Sequence, residues 1–314
     1  MGIFTRVKKN EGWLAIAFDG AGVCVAKVKR VPAGKPSVEM TVFHASGLPF
    51  PAEILEKLGR QLRAHACHCT TLLGGAEYQL LALDAPNVPP DELKAAVRWR
   101  LKEMLDFHVD DATIDVLDIP TDKNSPGRAH TMFVVAARNS VIEQRQILFS
   151  RAKIDLSVID LPEMAQRNIS ALLEPDGRGM GVLSFSADGG LLTVTFAGEL
   201  YLSRRIDVTL AQLLDTDHSR KAIVYDKITL ELQRSLDHFD RQFHFIAVAK
   251  LVLAPTGADG LHAYLAANLY MPVEVLDLAQ VMDLSKVPEL EDVAQQQRFF
   301  LPLGAALRYE EVKL

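Results

Sequence analysis

Only three cysteines occur among the 314 residues. That odd, small number cannot staple a chain of this size, and it points to a reducing compartment. Long apolar runs are also missing: no segment reaches the ~18 consecutive apolar residues that a membrane span needs. The nearest candidate, "FHFIAVAKLVLAP", is interrupted by His244 and Lys250 and ends at Pro255. The opening "MGIFTRVKKNEG" carries basic residues, but no apolar core follows, so a secretion signal is excluded. Gly2 invites a myristoyl reading, yet Arg6 stands where that motif requires Ser or Thr. Basic excess is absent too. The 34 Lys and Arg against 40 Asp and Glu leave a net charge of −6 without a long block of one sign, so nucleic acid is not an expected partner. No Gly-x-Ser-x-Gly elbow occurs, which removes the usual carrier of serine-hydrolase chemistry. The expectation is a cytosolic protein.

What is present is an ordinary globular composition, 49% apolar and 24% charged. A chain this long buries enough surface to fold without disulfides or metals, and two lobes are the natural prior. "WLAIAF" (13–18) reads as a buried strand and "VCVAKVKRV" (23–31) as a second, because Val23, Val25 and Val28 disfavour helix. Asp19, Gly20, Ala21 and Gly22 between them look like a phosphate loop. A Rossmann or P-loop site, however, needs glycines that open a helix, and here they open another strand. A turn at "PAGKP", a strand at "SVEMTVFH" and a helix over "PAEILEKLGRQLRAH" follow, the helix with Ile54, Leu55, Leu58 and Leu62 on one face.

The same grammar returns later as "GVLSFS", "LLTVTF" and "LYLSRRI", three strands joined by "ADGG" and "AGE" turns. A recurring hairpin meander predicts two related lobes. Between them, "YQLLALDAP", "ATIDVLDIP" and "TMFVVAARN" read as strands. "PPDELKAAVRWRLKEML" reads as a helix opened by prolines, its apolar face being Leu93, Ala96, Val97, Leu101 and Met104. A polar loop, "TDKNSPGRAH", and a helix over 140–153 complete this unit. The second half continues with a helix over "KITLELQRSLDHFDRQF", striped by Ile228, Leu232, Leu236, Phe239 and Phe243. Then come the strand "IAVAKLVLAP", the helix "DGLHAYLAANL" and the strand "PVEVLD". The lobe boundary falls in "EPDGRG". It gives a first lobe over 1–176 with an inserted subdomain over 76–156, and a second over 177–314 with a small helical subdomain over 208–244.

In this layout the chain resembles the PilM-like family of actin-like proteins of type IV pilus assembly, above all its MSHA-pilus branch. It is more distantly similar to the cytoplasmic part of GspL in type II secretion. The likeness rests on "AFDGAGVCVAKV", "VPPDELKAAVRWRLKEMLDFHVDDATIDVLDI", "VIDLPEMAQRNI", "ELQRSLDHF", "GLHAYLAANLYMPVEVLD" and "LPLGAALR", in that order along nearly the whole chain. It implies an α/β, duplicated actin-like (ribonuclease H-like) fold of two lobes with one insertion. It also implies a scaffold role: binding the cytoplasmic tail of a bitopic, PilN-like inner-membrane protein and contacting the assembly motor ATPase. The chain would then sit at the inner membrane through its partners. Arg98, Trp99 and Arg100 are the candidates for the tail site, since Trp and Arg are common interface anchors; the alternative is that Trp99 caps the subdomain core.

The resemblance further implies a site for ATP and Mg²⁺. Its residues would be Asp19, Gly20, Ala21 and Gly22 on the first turn, with Asp19 toward the metal. Ser184, Asp188 and Gly189 would come from the second hairpin, Glu231 and Arg234 from the long helix, and Gly257 from "LAPTGADGL". Several positions depart from the family pattern. Ala21 and Val23 replace hydroxyl residues, Ser184 falls where an aspartate is usual, Ser186 where a glycine is, and Pro255 and Thr256 displace glycines. The expected reading is a phosphate loop by descent without its full function and without hydrolysis. A working ATPase of the same family, a GspL-like secretion component and a small-molecule kinase stand as alternatives, the last without a nominated base. Zinc is not expected at "HACHC" (65–69), whose His65, Cys67, His68 and Cys69 are too crowded to share one tetrahedron.

Overall fold

A computed structural model describes residues 12–32, 34–46, 52–89, 92–121 and 130–309. Strands β1 (Trp13–Asp19), β2 (Gly22–Lys29) and β3 (Ser37–Ala45) form a meander, followed by helix α1 (Ala52–Gln61) and β4 (His68–Leu72). Next come β5 (Tyr78–Asp84), α2 (Leu93–Leu101), β6 (Ala112–Asp118), β7 (Thr131–Arg138), α3 (Asn139–Arg151), β8 (Leu156–Asp160) and α4 (Pro162–Ser170). The second half runs β9 (Gly179–Ser186), β10 (Gly189–Phe196), β11 (Glu199–Ile206), α5 (Leu210–Leu213) and α6 (His218–Gln242). It ends with β12 (Val248–Leu253), α7 (Leu261–Asn268), β13 (Val273–Val275) and α8 (Val293–Ala306).

Two five-stranded sheets share one topology. The first is ordered β3-β2-β1-β4-β8 and the second β11-β10-β9-β12-β13. In each, an antiparallel meander continues into parallel strands, so the repeated turn grammar of the sequence corresponds to a repeated sheet. A separate compact unit, 73–148, falls in sequence between β4 and β8. It holds the antiparallel sheet β5-β7-β6. Val97 and Leu101 of α2 pack with Met132, Val134 and Ala136 of β7 in its core.

The two large sheets and the helices that follow them form one body with a common core. Ala15, Ala17 and Ala26 from the first sheet and Met180, Val182 and Val252 from the second meet Ile169 of α4 and Phe299, Phe300 and Leu303 of α8. Helices α4 and α8 pack directly on each other. A β-carbon on Gly304 would stand 2.2 Å from the carbonyl oxygen of Ala165, so only glycine lets the two backbones meet. Asn168 donates its amide N–H to Gly304 O at 3.0 Å beside that contact.

Element boundaries differ from the sequence expectation where capping rather than periodicity decides them. Helix α6 starts at His218, well before "KITLEL", because Asp217 accepts the Ser219 and Arg220 N–H groups at 2.8 and 3.3 Å. Helix α2 ends at Leu101, and Met104, expected on its apolar face, is exposed. Pro90, Asp91, most of the "TDKNSPGRAH" loop and both termini lie outside the described residues.

Replacing Gly304 by Ala forces α4 and α8 apart. It is expected to cost roughly 1–3 kcal/mol, read as a lower urea midpoint at unchanged slope. A midpoint equal to that of the parent would show that the helices separate freely.

Candidate functional site

Asp19 pairs with Gly22 across the first hairpin, leaving Gly20 and Ala21 as its exposed turn. The Asp19 carboxylate turns back onto that turn: Oδ1 accepts the N–H of Ala21 at 2.7 Å and of Gly22 at 2.8 Å. Oδ2 faces the thiol of Cys24, which donates at 3.9 Å. Two backbone donors of the turn are therefore already held by this carboxylate. Burial, reinforced by the Asp19 charge, pushes the Cys24 thiol up to about 12, against a smaller opposing pull from Arg298. Gly22 has a steric reason to be glycine, since a β-carbon there would lie 2.2 Å from His44 O on β3. Gly20 has none; a β-carbon there meets nothing within 4 Å.

The second hairpin is closed by Ser186 and Gly189. Ser186 Oγ accepts the Asp188 N–H at 3.1 Å and donates to Gly189 O at 3.3 Å. Gly189 has φ 125° and lies against Ile206 O, so its glycine serves the approach of β11. Ser184 is buried and donates to Gln166 Oε1 at 2.5 Å. The Gln166 amide donates in turn to Val182 O, Leu191 O and Thr193 Oγ1 at 2.9, 3.2 and 2.9 Å. Ser184 is thus committed to the joint between α4 and the second sheet.

The remaining predicted residues lie on α6 and the loop before α7. Glu231 and Arg234 pair with each other at 3.4 Å on a largely exposed helix face. Gly257 has φ 67° with open space around it, and the neighbouring Thr256 is buried and accepts the Ala258 N–H at 3.1 Å. Tyr225 of α6 donates to Asp259 O at 2.8 Å, tying helix to loop, and burial raises its phenol. What joins the two hairpins is α8. Gln297 donates to Phe185 O at 3.2 Å, and the Arg298 guanidinium lies 4.2 Å from the Phe43 ring centroid. Sequence reading missed Gln166, Gln297 and Arg298, because their partners lie on other elements and no local pattern announces them.

The Ala21 and Gly22 N–H groups are engaged by Asp19 Oδ1, and the Ser184 hydroxyl is already given to Gln166. At "HACHC", Cys67 and Cys69 are buried and the His68 ring stacks on Trp13 with centroids 5.3 Å apart. Among the described residues no group of three or more His, Cys, Asp or Glu is placed to hold a metal ion.

On the 73–148 unit the three α2 candidates diverge. Arg98 reaches Ala112 O and Asp110 Oδ1, both at 3.5 Å, and Arg100 donates to Asp84 O at 2.6 Å. Trp99 is 75% exposed, so it does not cap the core, and Lys102 Nζ lies 5.9 Å from its ring centroid. The two arginines brace the helix against the sheet while the indole faces outward.

No family model and no curated protein matches the chain. Among solved structures, it is similar to a chain of the PilM–PilN type IV pilus biogenesis complex. That likeness has 19% identity over 96% of this chain and 98% of that one, at a TM-score of 0.72. A protein of Bacteroides thetaiotaomicron with an actin-like ATPase fold is similar at 10% identity over 93% and 99%, TM-score 0.48. The cytoplasmic domain of EpsL, an inner-membrane component of the type II secretion system of Vibrio cholerae, is similar at 15% identity over 66% and 76%, TM-score 0.44. The duplicated two-sheet body therefore has the fold of that chain of the PilM–PilN complex. Among the described residues no helix is long and apolar enough to cross a membrane.

The two glycines of the first turn separate by measurement. Gly22→Ala is expected to lower stability by roughly 1–3 kcal/mol, whereas Gly20→Ala leaves it unchanged or raises it by up to about 1 kcal/mol; equal losses at both would refute the assignment. Cys24 has its own signature in pH. Its thiol titrates at 9.0 when unperturbed and at about 12 in the fold, so the unfolded chain loses this proton first. Stability is then expected to fall as pH rises from about 9 toward 12, and part of that slope should vanish in Cys24→Ala, as followed by chemical denaturation.

Proposed function

We propose that this chain is an actin-like assembly protein of a type IV pilus, of the MshI type that serves MSHA pili. Its role is to bind the cytoplasmic tail of a PilN-like inner-membrane protein and link it to the assembly motor ATPase. The observation that carries the reading is the end-to-end likeness to a chain of the PilM–PilN complex, which covers 96% of this chain. The six sequence segments named above support it independently of the fold. On this reading the protein is cytoplasmic and peripheral at the inner membrane. The tail docks on the 73–148 unit, with Trp99 as its aromatic anchor and Arg98 and Arg100 as the braces that keep the indole outward.

The nucleotide site is read as inherited and degenerate. Supporting this, Asp19 fills its own turn and Ser184 is built into the core. The scaffold then works through preformed surfaces rather than through a hydrolytic cycle.

Titration with a synthetic peptide of the cytoplasmic tail of a PilN-like protein is the test of docking. Wild type should bind, and Trp99→Ala should weaken binding about tenfold or more, the loss typical of an aromatic anchor; equal affinity would remove Trp99 from the site. Calorimetry with ATP and Mg²⁺ examines the second part. No heat and no thermal shift at millimolar ATP are expected, and heat that disappears in Asp19→Ala would reinstate a working nucleotide site.

A further inference from the structure

Helices α1 and α3 end side by side. A β-carbon on Gly59 of α1 would lie 2.8 Å from the Ile154 side chain, and Lys153 reaches Glu56 of α1 at 2.7 Å. The residues exposed around this junction are mostly cations: Lys57, Arg60, Arg63, Arg151 and Lys153, with His65 beside them, against Glu53, Glu56 and Asp155. Glu56 is shared by Arg60 at 4.0 Å and Lys153 at 2.7 Å. Lys57, Arg63 and Arg151 have no carboxylate partner among the described residues. This surplus belongs to a chain whose net charge is −6.

The backbone adds a second observation. Only three non-glycine residues among those described have positive φ, and two are Arg63 (52°) and Lys153 (58°). Lys153 closes α3 in the manner of a Schellman turn, with its N–H on Ser150 O and the Ile154 N–H on Phe149 O. Glycine is the least strained residue at such a helix exit, and a long side chain there is uncommon. Attraction to the helix dipole accounts for Arg60 and Arg151 in the last turns. It does not account for Lys57 or for keeping both strained exits cationic.

We propose that this face binds an anionic phospholipid headgroup surface. Charge selects that occupant, and so does the scarcity of exposed apolar side chains around it. Among the described residues, Ile147 of α3 is the one large exposed hydrophobic side chain on α1, on α3 or on the segments that follow them, and a single isoleucine does not make an interface core. A protein interface requires such a core, whereas a headgroup layer attracts clustered Lys and Arg without one. The contact orients the body on the membrane, is reversible, and weakens with salt. It stands on this surface alone and is independent of the pilus reading.

The test is co-sedimentation of the full chain with vesicles of phosphatidylglycerol and phosphatidylethanolamine, against vesicles of phosphatidylcholine alone. Wild type should bind the anionic vesicles at about 0.05 M salt and release at about 0.5 M. The variant Lys57→Glu/Arg63→Glu/Arg151→Glu should bind roughly tenfold less or weaker still. A second variant, Arg63→Gly/Lys153→Gly, removes two cations while relieving both strained exits. It should melt higher than wild type and still bind less, which separates lost charge from lost folding. Three results overturn the proposal: equal binding by wild type and the charge-reversed chain, equal binding to neutral vesicles, or capture of poly-glutamate with no vesicle binding. The last assigns the face to an acidic protein instead.

Discussion

The contact between α4 and α8 is the constraint on which the rest of this molecule depends. Two helices approach so closely at Gly304 that any side chain would meet the carbonyl of Ala165. That approach brings residues of both sheets into one core. The polar joint lies beside it: Gln166 is wholly buried and engages Ser184, Val182, Leu191 and Thr193. Further along α4, Arg167 donates to Gly198 O at 2.7 Å and Glu163 meets Arg205 at 3.4 Å. The lobes are thus two repeats of one topology fused through a shared, hydrogen-bonded layer.

This joint bears on how the protein can respond to a ligand. Helix α4 packs on the second sheet and α8 on the first, so rotating one sheet against the other strains the α4–α8 contact, where the buried Asn168 donates to Gly304 O. Each such bond left unmade in a buried site costs about 1–3 kcal/mol. A ligand shifts the balance between two lobe arrangements only by its difference in affinity for them.

Much of the fold was legible because it is written in local periodicity. Valines at alternate positions mark β2, an apolar stripe marks α6, and the recurring hairpin grammar corresponds to the duplicated sheet. Capping was legible in principle: Asp217 before His218 signals the true start of α6, but a polar first turn hides it from a hydrophobic count. The site was less legible for a different reason. Gln166, Gln297 and Arg298 act on partners on other elements, and nothing in their neighbours marks them. Trp99 was ambiguous because an aromatic on a helix fits either a core or a surface; its position opposite Val97 and Leu101 decides for the surface.

The first turn shows how such ambiguity resolves. A motif inherited from a ligand-binding ancestor contains residues used by the ligand and residues used by the fold, and the sequence mixes them. Here the fold still uses Asp19, which caps its own turn, and Gly22, which makes room for the His44 carbonyl. Ala21 and Val23 stand where the resemblance leads one to expect hydroxyls. Ala21 is exposed on the turn and Val23 is buried in the sheet, so neither supplies a contact that a phosphate could use. The fold thus gives Asp19 and Gly22 structural reasons of their own. Gly20 is the glycine of the turn that packing does not require.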